Sequence, residues 1–162
     1  MEPPTKSGKT QREVLGKFCS GITVVTALTD DGPVGFTCQS FASLSLDPPL
    51  VSFNPARTST TWPLIRQAGS FCINVLSVEQ RDISNAFARS GADRFAGVRW
   101  SPAPSGAPIL DGGIAWADCT LWAEYDGGDH TIVAALVHAL DEGVDEDPLL
   151  FYRGGYGIPS RW

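Results

Sequence analysis

Positive charge is scarce in this 162-residue chain: 12 Lys and Arg stand against 18 Asp and Glu, a net charge of -6. The basic residues are scattered, which argues against nucleic acid as the main partner, because phosphate backbones need a concentrated basic surface. No apolar run approaches the ~20 residues that span a bilayer. The stretch from Met1 to Ser7 carries no apolar signal-peptide core, so a cytoplasmic address is expected. Cysteine is sparse as well, with Cys19, Cys38, Cys72 and Cys119 far apart and no CxxC or CxxH pair among them. A zinc site needs local ligand pairs, so no metal is expected, and all four thiols read as structural. No GxGxxG follows a strand pattern, which removes a Rossmann dinucleotide site. No Gly-x-Ser-x-Gly elbow exists to make a hydrolase.

What is present fits a soluble globular domain: 43% hydrophobic and 19% charged residues. Residues 1–9 read as a loose tail and 10–162 as one domain, long enough to bury a sizeable core. Thr10-Gln11-Arg12-Glu13 matches a capping box and predicts a helix carrying Val14 and Phe18 on one face, stopped at Gly21. A hairpin is expected from 22–27 and 34–38 around Asp30-Asp31-Gly32-Pro33. Further strands are expected at 50–53, 71–76, 114–125 and 130–140. Short helices are expected at 60–67, with Pro63 in the first turn, and after a second capping box at Ser77–Gln80. The Pro- and Ser-rich stretch 99–108 reads as an excursion. Six or seven strands with few short helices predict a mainly β protein, a closed or half-closed antiparallel barrel.

Three segments hold groups suited to chemistry. Thr37-Cys38-Gln39-Ser40-Phe41-Ala42-Ser43 sets donors and acceptors past a strand end, which suits a flat heteroaromatic ring with carbonyl and imine edges. The same pattern also describes a polar turn. Arg57-Thr58-Ser59-Thr60-Thr61 lies between a strand and a helix start, where amides, hydroxyls and a guanidinium can hold a phosphate. Simple N-capping by Ser59 or Thr60 is compatible with that. Gly127-Gly128-Asp129-His130 opens a strand and offers one of only two histidines. His130 and His138 share a face if that strand is regular, and His138 reads as a packed or edge histidine.

Set in order along the chain, these stretches resemble the flavin reductase family of two-component monooxygenase systems. The resemblance is carried by 18–26, by 35–51 (Gly35-Phe36-Thr37-Cys38-Gln39-Ser40 to Leu50-Val51), and by Phe71-Cys72-Ile73-Asn74-Val75-Leu76. Asp93-Arg94-Phe95, Gly128-Asp129-His130 and the run from Pro148 to Tyr156 complete it, so that it covers about residues 11 to 157.

The resemblance implies a Greek-key split β-barrel of the FMN-binding type and a homodimer with flavin near the subunit interface. It implies an NAD(P)H-dependent flavin reductase using FMN or FAD and NADH, with NADPH as the alternative. Diffusible reduced flavin would go to a partner monooxygenase. Thr37, Cys38, Gln39, Ser40, Phe41 and Ser43 would meet the flavin ring and ribityl chain. Thr58, Ser59 and Thr60 would hold its phosphate, with Arg57 as the basic residue. Asp129 and His130 would border the nicotinamide, and Tyr156 would join the same pocket. His130 is the candidate catalytic residue, expected to position nicotinamide rather than to act as a base, because hydride transfer between stacked rings asks mainly for alignment. A flavin-binding split barrel without reductase activity, or an oxidase that retains FMN, are the competing readings.

Overall fold

The computed structural model describes residues 9–91 and 93–157. Its frame follows from the β-branched and aromatic alternation noted above, which forms a seven-stranded antiparallel sheet. Across the sheet the strands run β3 (Gly32–Cys38), β2 (Thr23–Thr29), β6 (Ser70–Val75), β9 (Ala115–Gly127), β10 (His130–Glu142), β5 (Pro49–Phe53) and β4 (Ala42–Leu46). Laid flat, such a sheet would hold its edge strands about 29 Å apart, at ~4.8 Å per step. Yet the chain passes from the end of β3 to the start of β4 through Gln39-Ser40-Phe41 alone, a reach of about 14 Å at most. The sheet must therefore roll up. No ladder joins β3 to β4 among the described residues, so the barrel is closed in outline and split at that seam.

β2 is buried on both faces from Thr23 to Ala27. Val25 and Ala27 enter one apolar cluster with Phe53, Ile65, Phe71 and Val133, inside the barrel. Ile22 and Val24 enter a second cluster with Leu76, Phe87, Leu110 and Leu149. Phe87 comes from α3 (Arg81–Ala88), which packs close to β3 because Gly35 has no side chain. A Cβ there would lie 2.9 Å from both the Phe87 ring and the Val25 carbonyl. Inside the barrel, Phe53, Trp62 and Phe71 meet edge-to-face at 5.4 to 5.8 Å between centroids. Trp62 opens α2 (Trp62–Ala68), with Pro63 in its first turn as expected.

The remaining strands are short. β7 (Trp100–Pro102) and β8 (Pro108–Leu110) make a hairpin of the Pro-rich excursion. A buried amide pins it: Asn74 Nδ2 donates to the Val24 carbonyl at 3.1 Å and to Thr26 Oγ1 at 3.0 Å, while its Oδ1 accepts from Leu110 N–H at 2.8 Å. Buried Asp118 holds the turn between the two strands, accepting from Ser105 N–H at 2.9 Å. β1 (Ser20–Gly21), β11 (Leu150–Tyr152) and β12 (Gly155–Gly157) form a small third sheet.

Several expectations change. The Thr10–Glu13 capping box forms, but α1 (Gln11–Leu15) ends at Gly16, not Gly21, and Phe18 is 84% exposed. So short a segment gains too little from its cap to continue without an apolar partner. Cys38, Cys72 and Cys119 are buried but Cys19 is exposed, so it is no core residue. Burial, with Asp118 adding to it, pushes the Cys119 thiol up to about 12 and the Cys72 thiol up as well. Trp122 and His138 are extra residues in the β9–β10 ladder, where the register jumps. β10 is thus irregular between His130 and His138, and His138 instead meets Thr120 Oγ1 at 2.7 Å on the surface. No helix among the described residues is long and apolar enough to cross a membrane.

Candidate active site

The split in the barrel opens into a cleft of about 690 Å³, within the usual range for small-molecule sites. One wall is the end of β3 and the seam: Phe36, Thr37, Cys38, Gln39 and Ser40. The other comes from the loop after β5, through Asn54, Pro55, Ala56 and Ser59. The tip of the β9–β10 hairpin completes it with Gly127, His130 and Ile132. Residues ninety apart in sequence therefore face one space.

Each wall is held by specific bonds. Ser40 Oγ accepts from Asn54 N–H at 2.8 Å, tying the seam to the loop after β5. Thr37 Oγ1 donates to the Ser84 carbonyl of α3 at 2.7 Å, and Cys38 Sγ lies 3.1 Å from Ser40 Oγ. The exposed Gln39 carboxamide makes no hydrogen bond among the described residues, which leaves both its amine and its oxygen for a ligand. Ser59 Oγ accepts from Trp62 N–H at 3.1 Å, fixing the start of α2. That helix is anchored in turn by Glu124 on β9, which takes bonds from Trp62 Nε1 at 2.9 Å and Arg66 Nη1 at 3.0 Å.

The hairpin tip is joined to the loop after β5 by backbone and side chain together. Arg57 N–H donates to the Asp129 carbonyl and Thr131 N–H to the Pro55 carbonyl, both at 2.9 Å. The Arg57 guanidinium also bonds the Gly128 carbonyl at 2.6 Å and the Asp126 carboxylate. Gly128, at φ +77°, opens the tight turn before His130. His130 Nδ1 lies 2.7 Å from Asp129 Oδ1. A carboxylate only accepts, so Nδ1 carries the proton and, in the neutral ring, Nε2 presents a lone pair. The bond from His130 holds the Asp129 carboxyl below its ordinary range. The Gly128 amide, and then Arg57, do the same for Asp126.

Of the residues singled out from sequence, Thr37, Cys38, Gln39, Ser40, Ser59 and His130 line the cleft. The structure does not bring the others to its walls. Phe41 packs on the barrel core, and Ser43 sits on β4 opposite Val51. Thr58 and Thr60 are exposed beside Ser59, and Asp129 meets the site only through His130. Arg57 turns its guanidinium to the hairpin tip. Tyr156 packs against Phe151, bonds Ser84 Oγ at 2.8 Å and lies under Arg81, in the second apolar cluster rather than in the cleft. Sequence reasoning missed Asn54, Pro55 and Ala56. Their signal was an Asn-Pro pair closing a strand directly before the Arg57 segment.

A family model described as a flavin reductase like domain matches residues 15–160. The reductase subunit HsaB of a flavin-dependent monooxygenase from Mycobacterium tuberculosis is 51% identical, over 95% of this chain and 87% of its own length. The FMN reductase (NADH) SmoA of Agrobacterium fabrum is 42% identical, over 98% and 90% of the two chains. The NADH:FAD oxidoreductase SgcE6 of Streptomyces globisporus C-1027, solved in complex with NAD and FAD fragments, superposes with a TM-score of 0.87 at 33% identity, over 92% of this chain and 90% of its own. The rolled, split sheet and the length of these matches lead to one conclusion: the chain belongs to the flavin reductase-like family and is a flavin reductase.

Proposed function

We propose that the protein takes hydride from NADH onto a flavin seated in the seam cleft and releases the reduced flavin to a partner monooxygenase. The observation that carries this reading is the meeting of Thr37–Ser40, Ser59 and His130 around one cleft. The residues suit a flavin: Phe36 and Ile132 give apolar walls, and the Gln39 carboxamide can pair with a ring edge bearing carbonyl and imine groups. When bound, the flavin supplies the hydride acceptor. The task left to the chain is alignment and exclusion of water.

In that task His130 positions nicotinamide. Asp129 keeps the proton on Nδ1, so the Nε2 lone pair is left to accept from a carboxamide N–H or ribose hydroxyl. Thr58, Ser59 and Thr60 serve the flavin phosphate, and Phe41, Ser43 and Tyr156 shape the site from behind its walls. The reading includes NADH as donor, FMN or FAD as acceptor, a homodimer, one domain over 10–162, and a cytoplasmic setting where NADH is supplied. The nicotinamide, the flavin and the monooxygenase partner draw support from the names of the relatives.

The test mixes purified protein with NADH and FMN or FAD and follows loss of the nicotinamide absorbance. Flavin-dependent oxidation is expected, faster with NADH than with NADPH. No oxidation with either flavin and either nicotinamide overturns the reading. Flavin retained through purification and reoxidised only by a dedicated substrate would instead mark an oxidase.

A further inference from the structure

We infer that Tyr156 is a positioning residue for the flavin, acting through Ser84 to hold the Thr37 hydroxyl as an acceptor for the polyol chain. The inference rests on the seam cleft being the flavin site. Tyr156 itself stands outside that cleft, in the second apolar cluster. Its reach into the cleft is a relay of two hydrogen bonds.

The relay is built on Ser84, wholly buried in the middle of α3. Its Oγ lies 2.8 Å from the Tyr156 hydroxyl, the one side-chain partner either group has among the described residues. Its carbonyl takes the proton of Thr37 Oγ1 at 2.7 Å. A helical serine without such a partner can turn its hydroxyl back to the carbonyl four residues earlier, which bends the helix. Tyr156 removes that alternative, so α3 stays seated where the Ser84 carbonyl meets Thr37. The tyrosine is fixed in turn, with its ring 5.6 Å from that of Phe151 and the Arg81 guanidinium 5.3 Å from its centroid. Gly35, bare against Phe87, lets helix and strand come this close.

A hydroxyl has one proton and two lone pairs. With the Thr37 proton committed to α3, only lone pairs remain for the cleft that Thr37 lines. An acceptor of this kind fits a ligand hydroxyl and repels ring carbonyls and imine nitrogens, which also only accept. The flavin edge, with an N–H beside its carbonyls, is left to the Gln39 carboxamide, which offers both kinds of group.

Lumiflavin keeps the ring and lacks the polyol, and so separates the two contacts. Flavin fluorescence titration of the whole chain gives dissociation constants for riboflavin and lumiflavin. Tyr156→Phe, which removes only the hydroxyl, should weaken riboflavin about two- to tenfold, the worth of a neutral hydrogen bond, and leave lumiflavin within about twofold. Ser84→Ala breaks the same bond from the other side and should match it; this variant carries the test if Tyr156→Phe does not fold. Thr37→Val should weaken riboflavin at least as much, and Thr37→Ser, which keeps the hydroxyl, should recover it. Adding Tyr156→Phe to Thr37→Val should change nothing further, because the relay then has no end. The inference is overturned if Tyr156→Phe weakens both flavins alike, the mark of a loosened wall, if it weakens neither, or if its effect adds in full to that of Thr37→Val. A protein that oxidises no NADH with any flavin defeats the proposed function, while the titration still judges the relay.

Discussion

Two polar junctions tie distant segments of this chain together, and the solvent around them differs. At Asn74, fully buried, one amide binds the Val24 carbonyl, Thr26 Oγ1 and Leu110 N–H, and so fastens the β7–β8 hairpin to the barrel. At the hairpin tip, Arg57 and Asp126 do a similar job with side chains 53% and 81% exposed. A buried network with every arm satisfied is costly to break, because each orphaned group stays out of water. An exposed ion pair is worth little, about 0–1 kcal/mol, because water replaces either partner. The first junction therefore sets whether the molecule is folded. The second sets how one end of a working cleft is aligned, and the backbone bonds around it let it remain adjustable.

The largest expected effect belongs to the buried junction. Asn74→Ala should cost about 3 kcal/mol, seen as a fall in melting temperature of roughly 6–12 °C by circular dichroism. An equal fall from Arg57→Ala would break the contrast. His130→Ala comes next: KM for NADH should rise about tenfold, a lost hydrogen bond's worth, with saturating turnover little altered. Collapse of turnover by several orders with NADH binding intact would make His130 a chemical participant. Asp126→Asn should raise KM for NADH only about two- to fivefold, fading as salt is added, with melting unchanged within about 2 °C.

The smallest effect is that of acid on the tip. Asp126 and Asp129 are both held below the ordinary carboxylate value of 3.8, by the Gly128 amide with Arg57 and by His130 respectively. A carboxylate with a depressed folded pKa stabilises above its unfolded value and loses that contribution as pH falls through the folded one. The tip should accordingly keep its order from neutral pH down to about 4 and loosen only below. Exchange of the Gly128 amide, followed by NMR against pH, checks this. Loosening already between pH 6 and 5 would assign the switch to another group.

Sequence made the scaffold more legible than the site. The alternation at 22–27, 71–76 and 130–140 reads directly as strands, and the Thr10–Glu13 capping box forms as written. β4 was hidden because the polar run Thr37–Ser43 overlaps its start, although Ala42-Ser43-Leu44-Ser45-Leu46 alternates, and its pairing with β5 depends on a chain reversal at Asp47-Pro48. Gln39 and His130 were visible as chemistry-bearing residues flanked by strand ends. The direction of Arg57 was not, since Asp126 reaches it only after the β9–β10 hairpin docks on the loop after β5. Tyr156 carries no local signal of its partner, because Ser84 lies 72 residues away. The bulges at Trp122 and His138 likewise appear only in the pairing of two strands distant in sequence.

The three residues Gln39-Ser40-Phe41 that cross from one sheet edge to the other have a thermodynamic consequence. They fasten the barrel, and two of them, Gln39 and Ser40, also line its cleft. A ligand that grips them binds only the fastened form, so occupancy and foldedness rise together. At a hundred times its dissociation constant such a ligand adds about 2.7 kcal/mol to the unfolding free energy. Conversely, a change that unfastens part of the population weakens the ligand in proportion to the fastened fraction lost, however far away the change is made.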